Sequence, residues 1–404
     1  MIESVRPAPS RVEPTSDRPV VPVYGIGTLG AVLPGAAAAL GVPTGLPALP
    51  FPEVRSVCVV IVDGLGADLL DAAGPGGPDS ADRCEAPFLT GLTSVPRPAG
   101  CPDTLRVGCP TTTATSMGSF GTGQPPGRHG MVGYQIRDPI RGVLLNQLRW
   151  DPYTDPVDWQ PLPTIFGLCV AAGIDVCRIG AEEFAGSGLT VAAHRGGTFV
   201  GAKELSARVD AAIAAAHRQT RSLIYLYWGG VDSAGHEHGC RSAEWRTEVR
   251  GTDAQLARLA AGLPPDTLLV ITADHGMVDV PHAGRLDMAS RPELRRDIAV
   301  FGGEPRMVQL YCRYGQVDEV ATRMRDAVGD SAWVRTRAEA IDEGWFGPTE
   351  PRVADRIGDV LIAARGSFAI VDSGLQHKKS LALIGHHGSL TEAEQLVPLL
   401  VAGT

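Results

Sequence analysis

The stretch "SVCVVIVDGLG", residues 56–66, decides the fold class, because it joins a short apolar run to an aspartate at its end. The apolar part is rich in β-branched side chains, which indicates a buried strand. The runs "SLIYLYW" (222–228) and "TLLVITA" (267–273) have the same character. Helical patterns at 204–217 and 244–263 separate these runs. Strands that alternate with helices predict an α/β fold, with a mainly parallel central sheet and helices on both faces.

Other segments of the chain also have recognisable sequence patterns. Residues 1–22 are polar and proline-rich and lack the apolar core of a secretory signal, so we predict a disordered N-terminal tail. We predict that residues 23–404 form one domain. Within it, mixed strand and helix patterns at about 288–382 predict a small inserted α+β lobe. The stretch "GSLTEAEQLVPLLVAG" (388–403) is typical of a loop and a returning strand.

Composition excludes several classes of protein. The 404 residues are 44% hydrophobic and 20% charged, which is ordinary for a globular chain with a large core. A net charge of -9 without a long basic run argues against a nucleic-acid-binding surface. No apolar run approaches the roughly 18 residues that span a bilayer, so we expect no membrane segment. The eight cysteines include no Cys-x-x-Cys pair, and we expect reduced thiols in a cytoplasmic protein.

Each of the three predicted strands is expected to end in an aspartate. These are Asp63 in "IVDGLG", Asp232 in "WGGVDSAGHEHG" and Asp274 in "ITADHGM". In open α/β sheets, ligands bind just beyond the carboxyl ends of the strands. Three carboxylates gathered there repel one another unless protons or cations lie between them. The pattern therefore predicts a metal site.

Histidines close to these aspartates make the metal more specific. His236 follows Asp232 by four residues, so both can lie on one side of a helix. His275 follows Asp274 directly, and "GHHG" (385–388) adds two more imidazoles between glycines. Three carboxylates and three imidazoles suit zinc, with manganese or iron as alternatives. Six ligands exceed one tetrahedral zinc, and two metals are suited to an in-line displacement at phosphorus.

A threonine-rich stretch, "PTTTATSMGSFGTG" (110–123), adds a candidate nucleophile. A threonine hydroxyl reacts only when a base or a metal lowers its pKa. At the start of a helix it also lies where backbone N–H groups and the helix dipole favour a phosphate. We predict that "TATSMGSF" (113–120) opens such a helix. The stretch alone leaves open which threonine reacts, and it leaves open a plain polar N-cap.

Other interpretations exist for each motif taken singly. "DGLGADLL" contains a partial dinucleotide-binding fingerprint, but Leu69 replaces its third glycine. Asp232 with His236 can be a helix cap with a chance neighbour. "DHG" can be a turn at a strand end, and "GHHG" can be a loop with solvated histidines. All of these would have to hold together for the metal interpretation to fail.

Taken together, the motifs resemble the alkaline phosphatase superfamily and, within it, the type I phosphodiesterase/nucleotide pyrophosphatase family. The matching landmarks span residues 57 to 388 in the family's order: "VDG", "PTTTATSMGSFGTGQPPGRHGM", "VDSAGHEHG", "ADHGM" and "GHHG". The resemblance implies a three-layer α/β sandwich of the alkaline phosphatase type. It also implies two Zn²⁺ per chain and a small-molecule phosphoester as the substrate.

The resemblance assigns a role to each site residue. The family's nucleophile lies nine residues before a Thr-Gly pair, here Thr122-Gly123, which indicates Thr113, with Thr111, Thr112 and Thr115 as fallback candidates. One zinc takes Asp232, His236 and His387. The other takes Asp63, Asp274 and His275, and Thr113 reaches toward it. The chain departs from the family at Tyr134, which stands where an asparagine helps to hold a phosphate oxygen, and we expect Tyr134 to bind substrate.

The expected reaction is cleavage of phosphodiester or pyrophosphate bonds in nucleotide-type substrates through a phosphothreonine. The departure at Tyr134 keeps alternatives open. These are a phosphomonoesterase, a phosphonate hydrolase, or an inactive binding protein in which metals only brace the loops.

Overall fold

The computed structural model describes residues 18–74, 85–218 and 220–403 of the chain. Most of the predicted tail, residues 1–22, lies outside these ranges, and its disorder stays a prediction. At the described end of this segment, the Gln395 side-chain amide donates to the Val20 carbonyl oxygen at 2.8 Å.

The strands of the described residues are numbered in chain order as follows: β1 (Ser56–Val62), β2 (Thr104–Arg106), β3 (Gln135–Arg137), β4 (Leu144–Asn146), β5 (Asp175–Gly180), β6 (Thr198–Gly201), β7 (Ser222–Trp228), β8 (Thr267–Thr272), β9 (Val278–Asp279), β10 (Arg285–Asp287), β11 (Ile298–Glu304), β12 (Met307–Cys312), β13 (Ala332–Thr336), β14 (Val360–Ala364), β15 (Ala369–Val371), β16 (Gly385–His386), β17 (Leu396–Pro398) and β18 (Leu400–Ala402).

The α-helices are α1 (Val32–Ala39), α2 (Ala67–Ala73), α3 (Pro87–Thr93), α4 (Thr113–Thr122), α5 (Pro126–His129), α6 (Pro156–Trp159), α7 (Ile165–Ala171), α8 (Gly188–His194), α9 (Leu205–Ala216), α10 (Gly230–His238), α11 (Ala243–Gly262), α12 (Pro292–Arg295), α13 (Val317–Val328), α14 (Arg337–Asp342), α15 (Pro351–Ala354), α16 (Lys378–Leu381) and α17 (Glu392–Gln395). Short 3₁₀ turns add Leu29–Ala31, Glu182–Phe184, His282–Gly284, Met288–Ser290 and Gly329–Ser331.

The central sheet of the described residues has the strand order β18-β8-β1-β7-β5-β6. Its strands run parallel to one another except for β18, which pairs antiparallel with β8. Every residue of β1 and β8 is buried. A strand covered on both faces needs a continuous apolar run, which is the pattern that predicted these strands. The predicted mainly parallel sheet is confirmed, and so is the returning strand near the C-terminus.

Helices cover both faces of this sheet. Helices α9, α11 and α3 pack together on one face, and α1, α4, α7 and α8 pack together on the other. The main hydrophobic core joins the strands to both helical layers. The predicted three-layer α/β sandwich is therefore confirmed.

Two of the three strand-end aspartates lie where the sequence predicts them. Ile61 of β1 is level with Thr272 of β8, so Asp63 and Asp274 follow neighbouring strands at the same edge of the sheet. Asp232 is different: β7 ends at Trp228, and Asp232 lies in the first turn of α10. The expectation that this strand ends in its aspartate is wrong, because Gly229 and Gly230 turn the chain into a helix first.

The segment predicted as an inserted lobe contains a second sheet. Its order is β11-β12-β14-β13, and its neighbouring strands are antiparallel. Helix α13 packs on this sheet and buries its own apolar side around Val320 and Met324. An antiparallel sheet with α13 and α14 packed on it is the kind of structure predicted for the lobe. The lobe's limits at 288 and 382 stay a prediction.

A buried ion pair ties the lobe to α17, which follows the GHHG motif. Arg306 Nε and Nη2 contact the two carboxylate oxygens of Glu394 at 2.7 and 2.8 Å, and both side chains are fully buried. Arg306 Nη1 also donates to the carbonyl oxygens of Gly366 and Phe368, each at 2.7 Å. The backbone N–H of Ser389 donates to the same Glu394 carboxylate at 3.0 Å. The pair therefore satisfies groups from both parts of the domain.

We expect Arg306→Met to lower the free energy of unfolding by about 3–5 kcal/mol, because it leaves the Glu394 charge buried and uncompensated. Urea denaturation measures the loss. Arg325→Met is the matched control: the Arg325–Glu339 pair is 42% and 46% exposed, so its loss should cost less than about 1 kcal/mol. Equal losses in the two variants would contradict the prediction.

The seven cysteines within the described residues are free thiols: Cys58, Cys101, Cys109, Cys169, Cys177, Cys240 and Cys312. In the part of the chain that the structure describes, no helix combines the length and the apolar character that crossing a bilayer requires.

Candidate active site

The threonine-rich stretch turns into a helix at the predicted place. Helix α4 begins at Thr113, after an N-cap residue, Thr112, with extended backbone at φ -137° and ψ 148°. It ends at a C-cap, Gly123, whose left-handed φ of 67° favours glycine. The helix predicted to open at 113–120 therefore covers 113–122.

Two hydroxyls on either side of Thr113 hold neighbouring loops. The Thr111 hydroxyl accepts from the Gly388 N–H at 3.0 Å and donates to the Ser389 carbonyl oxygen at 2.8 Å. The Ser116 hydroxyl donates to the Asp274 carbonyl oxygen at 2.6 Å. These bonds fix the loops that carry histidines and aspartates of the site.

Thr113 has a different environment. Its hydroxyl lies 3.3 Å from Nε2 of His275, and the residue is half-buried. Within the threonine run, this hydroxyl therefore faces the histidine and carboxylate side chains that the sequence predicts as metal ligands.

Asp63, Asp274 and His275, here called the strand cluster, come together beyond β1 and β8. His275 Nε2 lies 3.2 Å from Asp63 Oδ1 and 3.7 Å from Asp274 Oδ2, and all three side chains are almost fully buried. The Gly64 N–H donates to Asp274 Oδ1 at 3.3 Å. His275 Nδ1 lies 3.2 Å from the Gly276 carbonyl oxygen, which can only accept, so Nε2 is left to face the carboxylates.

Asp232, His236 and His387, here called the helix cluster, combine α10 with the GHHG loop. Asp232 Oδ1 lies 3.4 Å from His236 Nε2 and 3.9 Å from His387 Nε2. Each histidine donates through Nδ1 to a carbonyl oxygen, His236 to Gly385 at 2.7 Å and His387 to Thr111 at 2.8 Å. Histidines that bind metals are commonly oriented by such a bond from the other ring nitrogen.

The two clusters are adjacent. The rings of His275 and His387 stack with centroids 3.6 Å apart and planes 15° apart. The structure therefore brings together all six predicted ligands in the two predicted groups of three, and within each group the ligand atoms lie within 4.8 Å of one another. His386, the other histidine of the motif, instead lies with Nε2 3.2 Å from the Leu383 carbonyl oxygen.

Unsatisfied oxygens show that these clusters suit cations. Asp63 Oδ1, Asp232 Oδ1 and Asp274 Oδ2 are each buried without a hydrogen-bond partner among the described residues. A buried carboxylate oxygen without a donor is costly, and a metal ion removes that cost. Three carboxylates and three imidazoles are also the ligand types that zinc, manganese and iron accept.

The pKa values of the ligands agree with that conclusion. Burial, and then the neighbouring Asp274 charge, raises the pKa of Asp63 to about 7. Burial raises the pKa of Asp274 to about 7 and that of Asp232 to about 6. Burial, followed by the His275 and His236 imidazoles, lowers the pKa of His387 well below 6.5, so its ring is neutral at pH 7. Neutral imidazoles bind metals, and a bound cation would favour the ionised aspartates.

Tyr134, the predicted substrate-binding residue, is half-buried in the loop between α5 and β3. The lobe holds this loop in place, because the Gln309 side chain donates to the Val132 carbonyl oxygen at 2.6 Å. Gly133 lies between Val132 and Tyr134. Its lack of a side chain leaves room for Gln309, because a Cβ at Gly133 would lie 2.8 Å from Gln309 Nε2.

The sequence analysis missed one side chain that contacts the strand cluster. Tyr227, near the end of β7, donates its hydroxyl to Asp63 Oδ2. Burial raises the pKa of Tyr227 well above 10, so the phenol stays protonated and remains a donor. Its position beside Trp228 in an apolar strand gave no sign of this role, because a strand tyrosine is usually core.

The sheet, the two clusters at its edge and the hydroxyl at a helix start are the features of the alkaline phosphatase superfamily. Within that class, the chain belongs to the type I phosphodiesterase/nucleotide pyrophosphatase family, whose family model matches residues 57–390. The resemblance stated from the motifs is thereby confirmed.

Two curated relatives match over short stretches. Human ectonucleotide pyrophosphatase/phosphodiesterase family member 7 is 35% identical over 82 residues, which are 19% of this chain and 18% of the relative. "Alkaline phosphatase PhoD" of Zymomonas mobilis is 34% identical over 73 residues, 17% of this chain and 13% of the relative. The matched stretches thus span less than a fifth of either relative.

Solved structures match over far more of the chain. Murine ectonucleotide pyrophosphatase/phosphodiesterase 5 has a TM-score of 0.66 at 20% identity, covering 86% of this chain and 88% of its own. An inactive threonine-to-alanine variant of the murine protein, in complex with AMP, has a TM-score of 0.65 at 19% identity, covering 86% of this chain and 87% of its own. Phosphonoacetate hydrolase of Sinorhizobium meliloti 1021, in complex with phosphonoacetate, has a TM-score of 0.64 at 21% identity, covering 87% of this chain and 91% of its own. At these identities the likeness shows the fold.

Proposed function

We propose that the protein is a two-zinc phosphodiesterase or pyrophosphatase that acts on nucleotide-type substrates through a phosphothreonine at Thr113. One observation carries the proposal: three buried aspartate oxygens without donors lie in two adjacent ligand clusters, beside a hydroxyl at the start of a helix. Membership of the phosphodiesterase family supports the reaction class. The murine relative in complex with AMP supports a nucleotide-type substrate.

Each group of residues in the site has a separate role in the proposed reaction. The strand cluster and the helix cluster would each hold one zinc, with Thr113 beside the former, and the metals supply positive charge and lower the pKa of bound oxygens. The Thr113 hydroxyl loses its proton to solvent, its oxygen forms a bond to phosphorus as the bond to the leaving oxygen breaks, and the leaving oxygen takes up a proton from water. Backbone N–H groups in the first turn of α4 accommodate a phosphate oxygen. Water then attacks the phosphothreonine and releases the hydroxyl for another cycle.

A phosphonate hydrolase is the second candidate. Its support is the likeness to phosphonoacetate hydrolase, which is as extensive as the likeness to the murine phosphodiesterase. Tyr134 bears on this choice, because a phenol donates one hydrogen bond where an amide donates two. We propose Tyr134 as a substrate-contacting residue that affects the preference between these substrates.

A substrate panel tests the proposal. The zinc-loaded protein is given bis(p-nitrophenyl) phosphate, p-nitrophenyl phosphate, a dinucleoside pyrophosphate and phosphonoacetate, with Thr113→Ala as the control for contaminating activity. We expect the diester and the pyrophosphate to be cleaved fastest. Preference for phosphonoacetate or for the monoester would replace the proposed substrate class, and no turnover of any of them would indicate a binding protein.

The apparent affinity for zinc should rise as the pH increases through about 6 to 7, and then level off. The reason is that the raised pKa values of Asp63, Asp274 and Asp232 leave protons on these carboxyls, which a metal must displace. The metal-free protein therefore binds more protons than the metal-bound form below pH 7, so acid favours metal release.

Competition with a chromophoric chelator across this pH range measures the affinity. If these carboxyls had the ordinary pKa of 3.8, their protonation would lower the affinity for zinc only below about pH 5. An affinity that stays flat between about pH 5 and 7 would contradict the assignment of these aspartates as ligands.

A further inference from the structure

Each aspartate of the strand cluster has one oxygen that accepts from a protein donor and one that does not. Asp63 Oδ2 accepts from the Tyr227 hydroxyl, and Asp274 Oδ1 accepts from the Gly64 N–H at 3.3 Å. Asp63 Oδ1 and Asp274 Oδ2 are buried without a hydrogen-bond partner among the described residues. These two oxygens lie 3.2 and 3.7 Å, respectively, from His275 Nε2. The oxygens that face the imidazole are therefore the ones left open.

The surroundings of Tyr227 fix both its backbone and its ring. Strand β7 pairs with β1 so that Tyr227 is level with Ile61, two residues before Asp63. The Asp63 N–H donates to the Trp228 carbonyl oxygen at 2.8 Å, which holds the two strand ends against each other. The Tyr227 ring packs edge-on against Phe184, with centroids 5.8 Å apart and planes 67° apart. The hydroxyl is therefore directed at Asp63 by contacts that do not involve the hydroxyl itself.

The number of open oxygens decides which ions suit the strand cluster. A carboxylate with both oxygens free can bind a metal through one oxygen or through both. Here each carboxylate offers one oxygen, which makes three ligand atoms together with His275 Nε2. The Thr113 hydroxyl, 3.3 Å from His275 Nε2, is a fourth candidate ligand. Four ligands suit zinc, whereas manganese prefers six oxygen ligands.

We propose that Tyr227 is a positioning residue that restricts Asp63 to a single metal-binding oxygen, and that it thereby favours zinc over manganese in the strand cluster. The phenol acts through Asp63 and does not contact the metal. The Gly64 N–H restricts Asp274 in the same way. The inference rests on the proposed function in one respect, since it assumes that the strand cluster holds a metal, and it assumes nothing about the substrate.

Tyr227→Phe removes the hydroxyl and keeps the ring. Asp63 Oδ2 is then free, so the carboxylate can turn or bind a metal through both oxygens. Loss of the hydrogen-bond partner of a ligand typically lowers metal affinity about 10- to 100-fold, and we expect a loss of this size for zinc at one of the two sites. Manganese, which accepts the additional oxygen, should lose less affinity than zinc. The helix cluster should keep its affinity, because carbonyl oxygens of Gly385 and Thr111 orient its histidines.

The first test measures the zinc and manganese affinities of the full chain by competition with a chromophoric chelator. Tyr225→Phe is the matched control. Tyr225 lies two residues earlier on the same strand and is 4% exposed, and its hydroxyl contacts Met117 Sδ at 3.4 Å instead of a ligand. The control should leave both affinities unchanged. The melting temperature of each metal-free variant shows whether stability alone has changed.

The absorption spectrum of the cobalt-loaded protein reports the number of ligands. Four-coordinate Co²⁺ absorbs visible light much more strongly than five- or six-coordinate Co²⁺. We expect weaker absorption per cobalt in Tyr227→Phe than in the unmodified protein or in Tyr225→Phe, because a second Asp63 oxygen joins the metal. A purely structural role for Tyr227 would lower stability and leave this spectrum unchanged. An unchanged cobalt spectrum, an unchanged preference for zinc over manganese, or an equal loss of zinc affinity in Tyr225→Phe would overturn the inference.

These readouts separate failure of this inference from failure of the proposed function. Metal affinity and the cobalt spectrum are measured without substrate, so they report on Asp63 whether or not Thr113 is the nucleophile. If the metals bind as expected but no substrate is cleaved, the proposed function is wrong and the Tyr227 result still stands. If substrates are cleaved and Tyr227→Phe behaves like the unmodified protein, only this inference fails. If the unmodified protein binds no metal, both are overturned.

Discussion

Thr113→Ala is expected to lower the rate of diester hydrolysis by on the order of a thousandfold or more, while the fold and both metals are retained. The reason is geometric. The Thr113 hydroxyl lies 3.3 Å from His275 Nε2 at the strand cluster, whereas the hydroxyls of Thr111 and Ser116 are bonded to backbone carbonyls. Steady-state kinetics together with zinc analysis of the variant measure both parts of the expectation.

Thr113→Ser should remain partly active, because serine keeps the hydroxyl and loses only the methyl group that restricts its rotamer. Thr115→Ala is the matched control within the same helix and should keep far more activity than Thr113→Ala. Acid quench during turnover, followed by peptide mass analysis, should locate phosphate on Thr113. A label on Thr112 or Thr115 would move the nucleophile, and an active Thr113→Ala without any label would mean that water attacks the substrate directly.

Removing the metals should abolish turnover and lower the melting temperature, and zinc should restore both. The physical reason lies in the three buried aspartate oxygens without donors, which repel one another when no cation lies between them. A metal at a thousand times its dissociation constant stabilises the folded state by about 4 kcal/mol. Activity and thermal unfolding are followed before and after chelation, with elemental analysis to verify the metal content.

Substitution of single ligands tests which residues belong to each of the two proposed metal sites. Asp232→Ala and His387→Ala should each lose one zinc per chain and most of the activity, because both belong to the helix cluster. Asp279→Ala is a nearby control: the Asp279 carboxylate accepts from the Cys240 N–H at 2.8 Å and lies outside both clusters. Two zinc ions retained in both ligand variants, or full activity in metal-free protein, would refute the proposed division of ligands.

The sequence predicted those parts of the molecule that depend on local sequence patterns. The strand at 56–62 was predicted at its observed limits, because a strand buried on both faces must be continuously apolar. The pairing of Asp232 with His236 followed from helical spacing. The ligand clusters followed from motifs whose order was specific only in combination.

The contributions of the lobe could not be predicted in the same way. Arg306 and Gln309 belong to no motif, and each holds a segment that is distant in the sequence through a buried hydrogen bond. Such a role depends on which distant segments fold beside the lobe, and no local pattern in the sequence shows this. The interpretation of a polar N-cap was also incomplete, since Thr112 is the N-cap residue but its side chain makes no capping hydrogen bond.

The return of the C-terminal strand has a consequence for biosynthesis. The strand cluster needs Asp63 together with Asp274 and His275, the helix cluster is complete only with His387, and β18 completes the sheet beside β8 only afterwards. A nascent chain emerging from the ribosome with its N-terminus first can therefore assemble β1 and α4 long before either metal site exists. Under the proposed function, loading of both metal sites then follows the synthesis of His387, and during translation the uncompensated carboxylates must stay protonated or exposed to water. The supply of the proposed metal should accordingly affect how much newly made chain survives proteolysis, more than how fast the chain is made.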